Sequence, residues 1–141
     1  SVAPTTNAAG TSHNLQVVSG ARPSQIPGRT AVRIVINHET APVNVYTVTG
    51  GKTLYVTDMA LTIENSASGA GALDIYDDTA AAPLTDLVLP LNVADPGSGG
   101  DSAIDVVTLS FSEPLAFVNG VFFDESAGTL DMSGVLLGYE E

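Results

Sequence analysis

Cysteine and tryptophan are absent from the 141 residues, and basic side chains are scarce: four Lys+Arg stand against sixteen Asp+Glu, for a formal net charge of −12. Without cysteine there is no disulfide, no thiolate zinc site and no cysteine nucleophile. So acidic a surface argues against nucleic acid or an anionic membrane as a partner for most of it. Aromatic residues make up 6%, which with no Trp leaves little for a sugar-stacking platform. No apolar run approaches the ~18 residues that cross a bilayer. The longest, Asp86 to Val93, is broken by Pro90 and Asn92. The opening Ser1-Val2-Ala3-Pro4-Thr5-Thr6-Asn7 lacks the basic-then-apolar order of a signal peptide, so the chain reads as a soluble protein.

What is present is 44% hydrophobic and 14% charged residues, enough apolar side chain for one domain with a real core. From residue 31 the pattern is strand after strand. Ala31 to Ile36 is short and β-branched. Val43 to Val48 alternates, with Val43, Val45 and Thr47 opposite Asn44, Tyr46 and Val48. Thr49-Gly50-Gly51-Lys52 is a turn, because paired glycines supply positive φ angles. Thr53 to Glu64 changes parity: Leu54 and Val56 share one face, Met59, Leu61 and Ile63 the other, and a bulge near Thr57-Asp58 reconciles them. Asn65 to Gly71 is a loop by composition, Leu73 to Tyr76 a strand, and Leu84 to Leu91 a strand that Pro90 confines to an edge. After the Gly-rich loop Asp95 to Asp101, Val107, Leu109 and Phe111 alternate with Val106, Thr108 and Ser110; Pro114 to Val118, Val121 to Phe123 and Leu130 to Tyr139 complete eight or nine strands. No window has helical periodicity with caps, and Ala80-Ala81-Ala82 is ended by Pro83. The expectation is an all-β sandwich or jelly roll.

The charges are divided along the chain. Arg22, Arg29 and Arg33 give residues 1–38 a charge of +3, whereas sixteen acids against Lys52 leave residues 39–141 at −15. Residues 1–30 are also poor in large apolar side chains, so alone they offset little of their ordering entropy. They read as an extended N-terminal arm that orders against a partner, a frayed terminus being the plain alternative; the domain proper is 31–141. Within the arm, Leu15, Val17 and Val18 are candidates to add a short strand to a neighbour's sheet edge, and Arg22, Arg29 and Arg33 to pair with carboxylates across an interface.

Catalytic and metal signals are thin. His13 and His38 are the only histidines and lie in no spaced ligand motif. There is no G-x-S-x-G elbow, and Gly50-Gly51-Lys52-Thr53 lacks the remaining glycine and the helix of a phosphate loop. Asp74, Asp77 and Asp78 cluster at a strand end. Asp95, Asp101 and Asp105 flank the Gly-rich loop and offer the oxygen ligands that calcium takes, the one cofactor candidate, although in so acidic a chain a solvated face is the default reading. No enzyme activity is indicated.

The stretch Tyr46-Thr47-Val48-Thr49-Gly50-Gly51-Lys52-Thr53-Leu54-Tyr55-Val56-Thr57-Asp58, with Glu113-Pro114-Leu115-Ala116-Phe117 leading to Gly120 and the closing Gly138-Tyr139-Glu140-Glu141, resembles a pattern in small jelly-roll structural proteins of tailed viruses. The likeness covers about residues 45–141 and departs at Thr49-Gly50, where the pattern often has Pro-Ala. Such domains serve as head decoration (cement) proteins, head fibres and some tail components. The resemblance implies a homotrimer on the virion surface, clamping the major capsid protein lattice, with the arm reaching capsid or neighbouring subunits. A head-fibre, turret or tail role, or a carbohydrate-binding module using loops 65–71 and 95–101, are the alternatives. Ten Asp, six Glu and a single Lys also resemble the composition of proteins from salt-loving hosts.

Overall fold

The computed structural model describes residues 25–80, 85–98 and 100–141. Eight strands follow one another: β1 (Thr30–Thr40), β2 (Val43–Thr47), β3 (Leu54–Asn65), β4 (Gly71–Asp77), β5 (Leu87–Val93), β6 (Ala103–Phe117), β7 (Gly120–Ala127) and β8 (Leu130–Glu140). They form two four-stranded antiparallel sheets, ordered β1-β8-β3-β6 and β2-β7-β4-β5. Every connection except β4–β5 passes from one sheet to the other, which makes this order an eight-stranded jelly roll. Among the described residues there is no helix, hence none long and apolar enough to cross a membrane.

The alternation that marks each strand is what closes the sandwich. Leu54, Val56, Met59, Leu61 and Ile63 of β3 are buried against Leu73 and Ile75 of β4 and Phe123 of β7. The parity change in β3 is a bulge: the register slips on both neighbours between Val56 and Asp58, returning Met59, Leu61 and Ile63 to the core side. A second bulge corrects the sequence reading of β2. The β2–β7 register shifts between Asn44 and Tyr46, so Tyr46 turns inward with Val43 instead of outward with Asn44. Pro114 to Phe117 is the end of β6 and no separate strand, which makes eight strands among the described residues. β1 extends past Ile36 through a bulge at which His38 has φ 53°, a region that non-glycine residues seldom enter. The turn before β3 is as expected, with Gly51 at φ 79° and the Lys52 N–H donating to Thr49 O at 2.9 Å.

Three buried polar side chains tie the ends together, and each is satisfied. At one end, Asn65 Nδ2 donates to Gly69 O (3.0 Å) and Ala94 O (3.1 Å), while its Oδ1 accepts from the N–H groups of Ala67 (3.1 Å) and Thr129 (3.3 Å), fastening three loops. At the other end, the Asp77 carboxylate accepts from the N–H groups of Val118, Asn119 and Gly120, fixing the two-residue turn between β6 and β7. Glu140 spans the sheets there. In the central strand β8, Gly134 and Gly138 lie so close to β3 that a methyl group would run into the carbonyl oxygens of Ala60 and Tyr55 respectively. Leu15, Val17, Val18, Arg22, His13, the Ala81–Leu84 segment and Gly99 lie outside the described residues.

Candidate functional site

Register places the outward side chains of the β1-β8-β3-β6 sheet in rows. Val35, Val135, Ala60 and Thr108 stand side by side across all four strands. Beside them lie Ser133, Thr62 and Val106. Neither row carries a charge, and Val35 and Val106 are 62% and 76% exposed. Charge begins only at the flanking rows: Arg33, Leu137, Asp58 and Ser110 on one side, Thr40, Asp131, Glu64 and Ile104 on the other. Asp58 is held in place, its carboxylate accepting from the hydroxyls of Thr57 and Ser110, both at 2.8 Å. Around small Ala60 the face dips into an open depression of about 110 Å³ bordered by Asp58, Thr108, Ser110, Val135 and Leu137. The result is an uncharged platform of β-branched and small side chains.

The opposite outer face, on β2-β7-β4-β5, is built differently. Asp74 and Asp124 sit directly opposite each other on β4 and β7, and Pro90 of β5 faces Asp74. Like charges in that position repel, and water is the medium that tolerates them.

The end of the platform nearest the C-terminus is capped by a stack. Arg29 lies over the Tyr139 ring, 4.2 Å from its centre, and Tyr139 stacks on Tyr55 with ring centres 5.2 Å apart. Arg29 Nε also pairs with Glu141 Oε1 at 3.3 Å. Beneath, the Glu140 carboxylate accepts from Tyr46 OH and from the Thr49 N–H, each at 2.9 Å. Burial alone pushes the Glu140 carboxyl up, but the hydrogen bonds from Thr49 and Tyr46 and the charge of Lys52 outweigh it and hold it below the ordinary carboxylate range. Burial first, then the bond to Glu140 and its charge, push the Tyr46 phenol up to about 12.

The residues singled out in the sequence are scattered. Of the cationic trio, Arg29 is engaged within its own chain, Arg33 is exposed at the platform's edge, and Arg22 lies outside the described residues. Asp95, Asp101 and Asp105 do not converge. Asp95 Oδ1 accepts from the N–H groups of Gly69 (3.0 Å) and Gly97 (2.7 Å), Asp105 Oδ2 accepts from Ala94 (2.8 Å), and among the described residues no three His, Asp or Glu side chains form a metal-holding group. Asp77, read as one of an acidic cluster, is a buried brace for a turn.

One grouping that the sequence did not signal is His38 with Ser133 and Asp131, brought together across the β1–β8 pair. Ser133 Oγ is 3.3 Å and Asp131 Oδ1 3.5 Å from the same atom, His38 Nδ1. A relay needs the two partners on opposite ring nitrogens, so this geometry orders the β1 bulge; Ser133 Oγ also accepts from the His38 N–H at 3.1 Å. The platform was missed as well, because its uncharged rows exist only once four strands are in register. Compared with known proteins, the chain matches no family model, no curated protein and no solved structure.

Proposed function

We propose that the chain is a non-enzymatic virion structural protein, a decoration (cement) protein on the head of a tailed virus that stiffens the lattice of major capsid protein. The observation that carries this reading is the pair of uncharged rows on a body of otherwise strongly acidic sequence. A surface of this kind is suited to lie on another protein surface, where its apolar side chains leave water while the carboxylates of Asp58, Glu64 and Asp131 stay at the rim. Support also comes from the jelly-roll strand order and from the resemblance of residues 45–141 to virion β-domains. In this reading three copies assemble, the platform bears on the capsid, and the basic segment 1–30 extends the contact onto neighbouring acidic subunits.

Immunogold labelling of tailed particles released by cells that carry the gene tests the location. Label spaced regularly over heads supports a decoration protein; label confined to fibres or tails moves the role to those structures; particles without label overturn the virion reading. A platform variant, Val35→Asp, is expected to lose its place on the heads while keeping its fold.

A further inference from the structure

We propose that the depression around Ala60 is a socket for a cationic side chain, lysine or arginine, presented by a protein partner docked on the platform. Two features meet there. Ala60 contributes only a methyl group to the floor, and Thr108, Val135 and Leu137 stand around it, bordering a space of about 110 Å³. One water needs only ~10–15 Å³ of such space, so the depression has room for the stem of a side chain. At its rim lies the Asp58 carboxylate, with Ser110 beside it.

The carboxylate is oriented but not neutralised. Its Oδ2 accepts from the Thr57 hydroxyl and its Oδ1 from the Ser110 hydroxyl, both at 2.8 Å. Each bond uses one of the roughly two lone-pair sites on its oxygen, so both oxygens can accept again. Asp58 is half-buried, yet among the described residues no Lys, Arg or His nitrogen pairs with it; the ion pairs there are Arg29–Glu141 and His38–Asp131. Arg33 shares its row but stands two strands away, beyond Leu137.

The occupant follows by elimination. An apolar side chain would fill the dip but take water from Asp58 without returning a charge. An acidic one meets repulsion from Asp58 and from a body of net −12. A lysine or arginine brings both parts, methylenes for Ala60, Val135 and Leu137 and a charged donor for the carboxylate. A second copy is a poor source: of its four basic residues, Lys52 already serves Glu140, and Arg29 is engaged with Tyr139 and Glu141. A different protein is favoured. This names the partner chemistry of the docking role proposed above and rests on that role, though not on where the partner resides.

Residue-resolved NMR titration of the full-length chain tests it, with N-acetyl-lysine N-methylamide as the probe and the norleucine analogue, which keeps the stem and lacks the ammonium, as the comparison. The lysine probe is expected to move the amide signals of Asp58, Ala60, Ser110 and Leu137 saturably, and the norleucine analogue to bind at least ~3-fold more weakly. Asp58→Asn is expected to weaken lysine binding by at least ~3-fold as well. Ala60→Leu, which fills the dip and keeps the carboxylate, should abolish the saturable shifts, and it decides alone should Asp58→Asn not fold by circular dichroism. Asp74→Asn, on the opposite face, should leave them unchanged. An arginine analogue that saturates at lower concentration assigns a guanidinium head and keeps the proposal. Shifts scattered over the acidic surface, or lysine binding indifferent to Ala60→Leu, overturn it. Probe binding here in a protein that labels no particle would keep the socket and sink the virion reading; labelled heads from a protein that binds no probe would do the reverse.

Discussion

The two outer faces of this sandwich come from the same alternation of side chains and end with opposite characters. On the β1-β8-β3-β6 sheet two adjacent rows, from Val35 to Thr108 and from Ser133 to Val106, hold no charge, and the acids nearest them either accept hydrogen bonds, as Asp58 does, or lie at the rim. On the β2-β7-β4-β5 sheet Asp74 faces Asp124 across a strand pair. A folded chain needs only its inner faces to be apolar. Two adjacent outward rows without a charge, in a chain so rich in carboxylates, are therefore more than folding alone asks for.

The comparison breaks completely if the sheet beneath the platform cannot form. Gly138 lies on the central strand, where an added methyl meets the Tyr55 backbone carbonyl, which no rotamer change can move aside. Gly138→Ala should cost about 3 kcal/mol or more, or abolish folding. Thermal unfolding followed by circular dichroism measures it, and a melting temperature within a degree or two of wild type would show that β8 and β3 part easily. Next in size is Asn65→Ala. It leaves the faces intact but orphans two carbonyls and two N–H groups in three loops, for roughly 2–3 kcal/mol by chemical denaturation.

A smaller effect should come from Glu140, the carboxylate that joins the two sheets. Glu140→Gln is expected to cost about 1–2 kcal/mol at neutral pH. Because the folded carboxyl is held below its ordinary value, its contribution is fully present above the unfolded carboxylate pKa and is lost as pH falls through the depressed folded one. Tyr46 acts at the other limit. Its folded pKa is raised to about 12, so the stability it supplies is complete below the ordinary value of 10 and is lost as pH rises toward 12. Denaturation midpoints across pH should therefore fall less steeply in acid for Glu140→Gln, and less steeply in alkali for Tyr46→Phe, than for wild type.

Much of the frame was legible because strands announce themselves by period. The parity switch between Val56 and Met59 even located a bulge, since an apolar set that changes face has no other simple explanation. The β2 bulge stayed hidden for the converse reason: Val43, Val45 and Tyr46 can all enter a core, so the alternation fitted either parity. The platform was illegible in kind. Its rows take one residue from each of four strands and of three, separated in sequence by core residues, and only register sums them into an uncharged surface. Asn65 was read as the start of a loop because Asn favours turns; its burial depends on loops that meet it from 29 and 64 residues away. The His38–Ser133 contact spans 95 residues and likewise had no local mark.

The finest test alters only the acidic face. Replacing one of the opposed pair, Asp74→Asn, removes a like-charge repulsion while keeping a side chain of the same shape, and should stabilise the fold by about 0.5 kcal/mol at low ionic strength. The gain should shrink in about 1 M salt, where screening acts within ~3 Å. The equivalent change on the platform side, Asp58→Asn, should instead destabilise, because that carboxylate accepts hydrogen bonds from Thr57 and Ser110. Opposite signs from two Asp→Asn changes would show that one face tolerates its charge and the other uses it. The same titration bears on the acidity of the composition: a body of net −12 should gain stability from low salt to about 2 M NaCl as its self-repulsion is screened. An unfolding midpoint that does not move would mean that the acids impose no strain on the fold, and the link to a saline setting would fall with it.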